Sequence, residues 1–147
     1  MQMVAIPRSV QIEVFEQLIG ERPFEGCGLL SGLNGTIVRA HPTPNAAANA
    51  VRYEIDPKVL LRVFREIDDA DQELVAIYHS HTHTEAYPSA TDIRFAHYPE
   101  ALYIIVSLMD IRAPVMRAYQ IRDGQVTEVA VEVLENVTQP DVRSSVL

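Results

Sequence analysis

Apolar positions along the chain follow two different spacings, and each spacing predicts a different kind of element. In the stretches 7–19 and 57–67, apolar residues recur every three or four positions, as they do on one face of a helix. Pro7 suits the first turn of the first helix. Asp56 and Pro57 supply an N-cap and a first-turn proline for the second. The pattern therefore predicts two main helices.

Shorter apolar runs predict strands. The runs 74–78 and 102–106 are nearly continuous, which is typical of strands buried on both faces. Asn-Gly at 34–35 and Asp-Gly at 123–124 each separate two apolar runs and predict hairpins. The alternating stretch 51–55 predicts one more strand.

These elements add up to one mixed α/β domain. With a short helix predicted over 91–97, the chain has two main helices, a minor one and six or so strands. A chain of 147 residues is long enough to bury one sizeable core. We place the domain at 1–137, and the polar stretch 138–147 is predicted to be a loose C-terminal tail.

Composition and charge exclude several classes of function. Twelve basic residues against twenty acidic ones give a net charge of −8, which argues against a nucleic-acid partner. No apolar run approaches the ~20 residues of a membrane span, so we expect no membrane association. A single cysteine, Cys27, excludes an internal disulfide. Since the N-terminus has no signal-peptide pattern, a cytoplasmic protein is expected.

The candidate chemistry follows the run 74–78. If that strand continues, His79 and His81 point to the same face, because side chains on a strand alternate. Asp92 follows a turn and brings a carboxylate back towards them. Two imidazoles and one carboxylate leave a coordination position open, as catalytic metal sites do. This set suits Zn²⁺, and it also suits Fe²⁺ in a two-His-one-carboxylate triad.

Other interpretations of these residues stay open on the pattern alone. Ser89 and Asp92 match a capping box, which would use the same carboxylate at a helix start. His83, His97 and Cys27 could approach the metal, although we expect Cys27 to be a small buried residue and the two histidines to be bystanders. His41, which the pattern puts at the start of a loop with nothing beside it, is expected to have no role.

The spacing His-Ser-His, seven residues, Ser, two residues, Asp, preceded by Glu25 in the run 24–28, resembles the motif of the JAMM (MPN-plus) metalloproteases. The motif spans 25–92, and length and element order are compatible over about 5–135. The resemblance implies a single JAMM/MPN-like domain with a cytidine-deaminase-like mixed β-sheet flanked by helices. It also implies one Zn²⁺ per chain.

The resemblance assigns a role to each residue of the motif. His79, His81 and Asp92 would bind the zinc ion, Glu25 would be the general base, and Ser89 would stabilise the oxyanion. Members of that family that lack the ligands act as silent MPN-like scaffolds. Such a scaffold and a non-haem iron enzyme are therefore the two alternatives to a zinc peptidase.

The resemblance also implies a substrate. Members of this family cleave after the C-terminal glycines of ubiquitin or ubiquitin-like proteins, and this chain is similar to the short bacterial members that act on sulfur carriers and release a C-terminal cysteine. We therefore expect a carrier ending in Gly-Gly as the partner. The loops 42–50 and 82–88 are predicted to wall a groove for its extended tail. The oligomeric state is left open, with a homodimer among the options.

Overall fold

The computed structural model describes residues 3–135, which form seven strands and three helices in one mixed α/β domain. In chain order the elements are β1 (Met3–Pro7), α1 (Arg8–Gly20), β2 (Cys27–Leu33), β3 (Thr36–Thr43), α2 (Pro57–Asp69), β4 (Glu73–His81), α3 (Ala90–Arg94), β5 (Leu102–Ser107), β6 (Val115–Arg122) and β7 (Gln125–Leu134). The predicted tail, 138–147, lies outside the described residues, and the predicted domain boundary stays a prediction.

The seven strands close into a barrel in the order β1-β3-β2-β4-β5-β6-β7. β4 and β5 are parallel, as β1 is to both β3 and β7, and the remaining neighbours are antiparallel. This mixed pairing confirms the predicted mixed sheet. The strand predicted over 74–78, β4, lies between β2 and β5, so its backbone is paired on both sides and holds its side chains rigidly.

Two apolar clusters lie on opposite faces of β4. Tyr78 belongs to the cluster that packs under α1, whereas Ile77 belongs to the cluster under α2. Because side chains on a strand alternate, His79 and His81 follow Ile77 on the α2 face. The packing of α2, through Val63 and other apolar residues, therefore determines on which side of the sheet the two histidines emerge.

Most of the predicted elements are confirmed, with small shifts at their ends. Asp56 caps α2 by accepting a hydrogen bond from the Lys58 N–H, and Pro57 begins the helix. Both hairpins form at the predicted dipeptides. Their central residues have positive φ, 53° at Asn34 and 51° at Asp123, as the two-residue turns of hairpins require.

Four predictions from the pattern differ from the structure. The stretch 51–55 is no strand of the barrel: Val51 lies in a bend, and residues 52–55 are held by the loop that contains Asn45. The pattern predicts no strand before α1, but the structure has β1 there, and Pro7 ends β1 instead of opening the helix. A short-range pattern misses β1 because this strand is stabilised mainly by pairing with β7, which is distant in the sequence. His41 is buried in β3, where its Nε2 lies 2.8 Å from the Ser31 hydroxyl. The minor helix, α3, ends at 94 rather than 97.

No helix within residues 3–135 combines the length and apolar character needed to cross a membrane.

The glycine at the β2 bulge gives a test of the barrel's packing. A Cβ at Gly32 would collide with the Thr36 carbonyl oxygen on β3, and backbone cannot rotate away as a flexible side chain can. We expect Gly32→Ala to lower the free energy of unfolding by about 1–3 kcal/mol or more. Urea unfolding measures this. Gly20→Ala is the control, because a Cβ there meets no atom within 4 Å and alanine favours the helix end. Equal stabilities of the two variants would contradict the tight bulge.

Candidate metal centre

The C-terminal end of β4 holds two imidazoles side by side. His79 and His81 are 1% and 5% exposed, and their Nε2 atoms are 3.3 Å apart. Because β4 is paired on both sides, the backbone of the two histidines is fixed and their side chains cannot move apart. The structure thus places both predicted histidines on one face, with their ring nitrogens directed at the same point.

The short helix α3 brings the third residue of this group. The Asp92 Oδ2 atom lies 2.9 Å from the His81 Nε2 and 3.2 Å from the His79 Nε2. The same oxygen accepts a hydrogen bond from the Ser89 N–H, while the Ser89 hydroxyl accepts one from the Asp92 N–H. The capping box is therefore present, and it does not divert the carboxylate from the histidines. The two interpretations of this carboxylate do not compete.

Neighbouring groups orient the two imidazole rings. The Nδ1 of His81 lies 2.8 Å from the Glu85 carbonyl oxygen, so Nδ1 carries the proton and Nε2 keeps its lone pair in the neutral ring. Tyr53 stacks on His79 with ring centroids 4.4 Å apart and planes inclined by 22°. The His79 Nδ1 is buried and has no hydrogen-bond partner among the described residues.

Glu25 lies next to the histidine pair because of how β2 approaches β4. Gly26, its neighbour, donates its N–H to the Ser80 hydroxyl and accepts from the Ser80 N–H, at 2.9 and 3.0 Å. Ser80 is the residue between the two histidines, so this pairing fixes Glu25 beside them. The Glu25 side chain is 4% exposed, and its Oε1 has no hydrogen-bond partner within the part of the chain that the structure describes.

Burial controls the charge of Glu25. It raises the pKa of this carboxyl to about 8; the charge of His81 lowers the pKa, and that of Asp92 raises it further. In the ion-free protein Glu25 is therefore largely protonated at pH 7. A buried acid whose pKa lies this close to neutrality, next to a cluster of possible ligands, is a candidate for proton transfer.

Burial and hydrogen bonding act in opposite directions on the pKa values of the other three groups. Burial favours neutral Asp92, but the hydrogen bonds of His79 and His81 outweigh it, so the pKa of Asp92 lies well below its usual range. Burial lowers the pKa of His79. It also acts to lower the pKa of His81, but the hydrogen bond to Asp92 is among the contacts that raise it overall. Asp92 is thus ionised, as a metal ligand must be.

These residues fit a metal ion. One donor atom from each of His79, His81 and Asp92 lies within 4.8 Å of the others, and the set of neutral imidazole plus carboxylate suits Zn²⁺ or Fe²⁺. Among the described residues this group has three members, which would leave a coordination position open. The two remaining predicted candidates near the motif, His83 and His97, are exposed and lie outside the group.

Cys27 also lies outside this group. It is fully buried, and its Sγ is 3.5 Å from the Thr43 hydroxyl and 3.7 Å from the Pro44 carbonyl oxygen. Burial raises the pKa of its thiol to about 11. The small buried residue expected from the sequence is confirmed.

A cavity of about 310 Å³ opens beside Asp92. Its walls come from the extended stretch 52–55 and from the stretch 91–98, rather than from the predicted loops 42–50 and 82–88. Aromatic side chains line much of it: Tyr53, Phe95, Tyr98 and Tyr103. The loop after His81 instead borders a second cavity on the side of β5 and β6.

Three residues of the site escaped the pattern: Tyr53, Asn45 and Glu85, the last through its carbonyl. Alternation predicts a strand at Tyr53, but it does not indicate that the Tyr53 ring stacks on His79. Asparagines in proline-containing loops often bond to the backbone, and this is the one feature of the sequence that points to Asn45. Glu85 acts through its backbone carbonyl, which every residue has, so its residue type gives no indication of this contact.

Comparison with known proteins shows the family. The family model described as prokaryotic homologs of the JAB domain matches residues 7–122. A protein of Mycobacterium tuberculosis named CysO-cysteine peptidase is 44% identical over 117 residues, covering 78% of this chain and 80% of the relative. A probable TtuB-protein conjugate cleaving protease of Thermus thermophilus is 34% identical over 130 residues, covering 88% and 82%.

Solved structures agree on the fold. A protein from Desulfitobacterium hafniense superposes with a TM-score of 0.85 at 28% identity, covering 91% of this chain and 94% of that one. A JAB1/MPN domain protein from Archaeoglobus fulgidus superposes with a TM-score of 0.57 at 20% identity, covering 88% and 99%. Because the family model matches most of the chain's length, the chain belongs to the prokaryotic homologs of the JAB domain.

Proposed function

We propose that this chain is a zinc-dependent peptidase or isopeptidase. It hydrolyses the bond after the C-terminal Gly-Gly of a ubiquitin-like or sulfur-carrier protein. The observation that carries the proposal is the convergence of His79, His81 and Asp92 beside the buried acid Glu25. A single Zn²⁺ per chain and a cytoplasmic location belong to the same proposal.

In this proposal His79, His81 and Asp92 hold the ion through the three atoms that already face one another. When bound, Zn²⁺ polarises a carbonyl and lowers the pKa of a coordinated water to about 7. In the neutral ring of His81 the Glu85 carbonyl keeps the proton on Nδ1, so that Nε2 has a free lone pair, and Tyr53 holds the ring of His79 in place. These contacts keep the ligand atoms oriented before the ion arrives.

Glu25 is the proposed general base and acid. Its Oε1 has no hydrogen-bond partner among the described residues, so this oxygen is available for a proton from water. Burial raises the pKa of Glu25 to about 8 in the ion-free protein. The positive charge of a bound ion would favour the carboxylate, which could then take up that proton and release it to the departing nitrogen. A carboxyl with its ordinary pKa would hold the proton much less well.

Ser89 is proposed to donate a hydrogen bond to the oxyanion. Its hydroxyl oxygen accepts from the Asp92 N–H, and the hydroxyl hydrogen is left free to donate. Capping α3 and stabilising an oxyanion are therefore compatible roles for one hydroxyl. The capping contact itself would hold the donor in place before the substrate binds.

The extended stretch 52–55 is the proposed binding edge for the carrier tail. On one side it bonds to the loop around Asn45, through the Arg52 carbonyl and both backbone groups of Glu54. The backbone N–H and carbonyl of Tyr53 have no backbone partner among the described residues. An extended tail could pair with this free edge in the cavity beside Asp92. Gly-Gly suits such a groove because it lets the two backbones approach closely.

The names of the relatives suggest the leaving group. The relative at 44% identity is named a CysO-cysteine peptidase, so we propose a C-terminal cysteine as one leaving group. Relatives named desampylase, from Haloferax volcanii, and probable TtuB-protein conjugate cleaving protease support protein conjugates as a second class. In both classes the part of the substrate before the cleaved bond is a carrier tail, and this is the part that the cavity next to Asp92 would bind.

Comparing substrates tests this function. We expect a sulfur carrier extended by cysteine after Gly-Gly to be cleaved at that one bond, and casein to be cleaved far more slowly. Equal cleavage of casein would indicate a general peptidase. Metal analysis of protein purified without chelators or added metal separates the alternatives: zinc supports the proposal, iron supports a non-haem iron enzyme, and no metal supports a silent scaffold.

A further inference from the structure

One loop side chain, Asn45, makes four hydrogen bonds that join two parts of the site. Its Nδ2 donates to the carbonyl oxygens of Glu25 and Arg52, at 2.9 and 3.0 Å. Its Oδ1 accepts from the N–H groups of Ala47 and Glu54, at 2.9 and 3.0 Å. The full bonding capacity of the amide is used, two donors and two acceptors.

These bonds connect segments that are far apart in sequence. The Glu25 carbonyl leads into β2, whereas Arg52 and Glu54 flank Tyr53, the residue that stacks on His79. The carboxyl of Glu25 makes no side-chain hydrogen bond among the described residues, so its position depends on its backbone. The Asn45 amide holds the Glu25 carbonyl and the Asn49 carbonyl holds the Glu25 N–H, each at 2.9 Å. The same amide fixes the free edge at 52–55.

We propose that Asn45 is a positioning residue that sets the general base Glu25 and the tail-binding edge 52–55 relative to each other. This inference rests on the proposed peptidase function for its kinetic consequences. Asn45 touches no reacting atom and acts through these two neighbours. Small errors in placement are costly in catalysis, since a shift of about 1 Å can cost on the order of 10²-fold in rate.

The amide chemistry explains why aspartate cannot replace asparagine here. In Asn45→Asp the oxygen that accepts from Ala47 and Glu54 remains, while the donor to the Glu25 and Arg52 carbonyls becomes an oxygen that repels them. This substitution therefore cuts only the connection between the two segments. Asn49→Asp is the matched control: it adds the same charge in the same loop and keeps the acceptor that binds the Val51 N–H at 2.8 Å. It also leaves in place the Asn49 main-chain carbonyl, which accepts from the Glu25 N–H.

The kinetic part of the test uses the carrier extended by cysteine. We expect Asn45→Asp to lower kcat by roughly 10-fold to 100-fold, because Glu25 is displaced, and to raise KM several-fold, because the edge at 52–55 loosens. Zinc content should equal that of the wild type, since no ligand bonds to Asn45. Asn49→Asp should keep the wild-type kcat and KM. Wild-type values in Asn45→Asp would overturn the inference.

Amide hydrogen exchange tests the same link without any substrate. The Gly26 N–H belongs to the same peptide unit as the Glu25 carbonyl, so its exchange should speed up at least several-fold in Asn45→Asp and stay unchanged in Asn49→Asp. Unchanged exchange at Gly26 would overturn the inference. If wild-type protein cleaves no carrier, the proposed function fails, while the exchange result still decides whether Asn45 holds Glu25.

Discussion

Replacing Glu25 by glutamine is expected to lower turnover at least ~10²-fold while zinc content and melting temperature stay close to those of the wild type. Glutamine has nearly the same shape, so the packing of this 4%-exposed side chain survives. What disappears is a group that can accept and return a proton, since an amide does neither near neutral pH. Steady-state kinetics on the carrier extended by cysteine measures the effect.

Glu13→Gln is the control for this substitution. Glu13 is an exposed acid on α1, remote from the histidine pair, so its neutralisation should leave turnover unchanged. Full activity in Glu25→Gln would remove Glu25 from the mechanism. A loss of both activity and zinc would show that Glu25 contributes to metal binding, whereas we propose that it acts only in proton transfer.

The second large effect concerns the metal. His79→Ala, His81→Ala and Asp92→Asn are each expected to lose most of the bound zinc, and the activity with it. The two histidine variants each remove one of three donor atoms that lie within 4.8 Å of one another, and Asp92→Asn removes the negative charge of the third. Inductively coupled plasma mass spectrometry on protein purified without chelators measures zinc per chain. Stoichiometric zinc in all three variants would contradict the site.

Asp92 allows a sharper version of this test, because it has a capping contact as well. In Asp92→Asn the amide oxygen can still accept from the Ser89 N–H, so stability should fall by no more than about 1 kcal/mol. Ser89→Ala is the opposite change: it removes the hydroxyl that caps α3 and leaves the Asp92 carboxylate, so the bound zinc should remain. If Asp92→Asn keeps its zinc, Asp92 is a capping residue alone.

Local patterns predicted most of the fold. The helices α1 and α2, both hairpins, and the strands β4 and β5 depend on spacings, caps and turn dipeptides that lie within a few residues of one another. The strand β1 is different, since it is fixed by pairing with β7, more than a hundred residues away. The stretch 51–55 alternates like a strand, but the side chain of Asn45 makes the hydrogen bonds that a neighbouring strand would make.

The same distinction holds at the site. His79 and His81 could be predicted to converge because both lie on one strand, and alternation fixes their direction. Asp92 follows closely, at the start of a short helix. Tyr53 and Asn45 reach the site from a loop, whose path depends on contacts that no short-range pattern encodes. His41 shows the reverse error: read as a loop residue, it lies buried in β3 against Ser31.

In the proposed mechanism, water attacks with the help of Glu25 and cleaves one bond after the Gly-Gly of a folded carrier. Intact-mass spectrometry of a sulfur carrier extended by cysteine, incubated with the enzyme in H₂¹⁸O, tests it most directly. We predict loss of the cysteine residue alone, with one ¹⁸O in the new C-terminal carboxylate, and no change with Glu25→Gln. An unchanged carrier mass, or fragments from cleavage inside the folded body, would contradict the account.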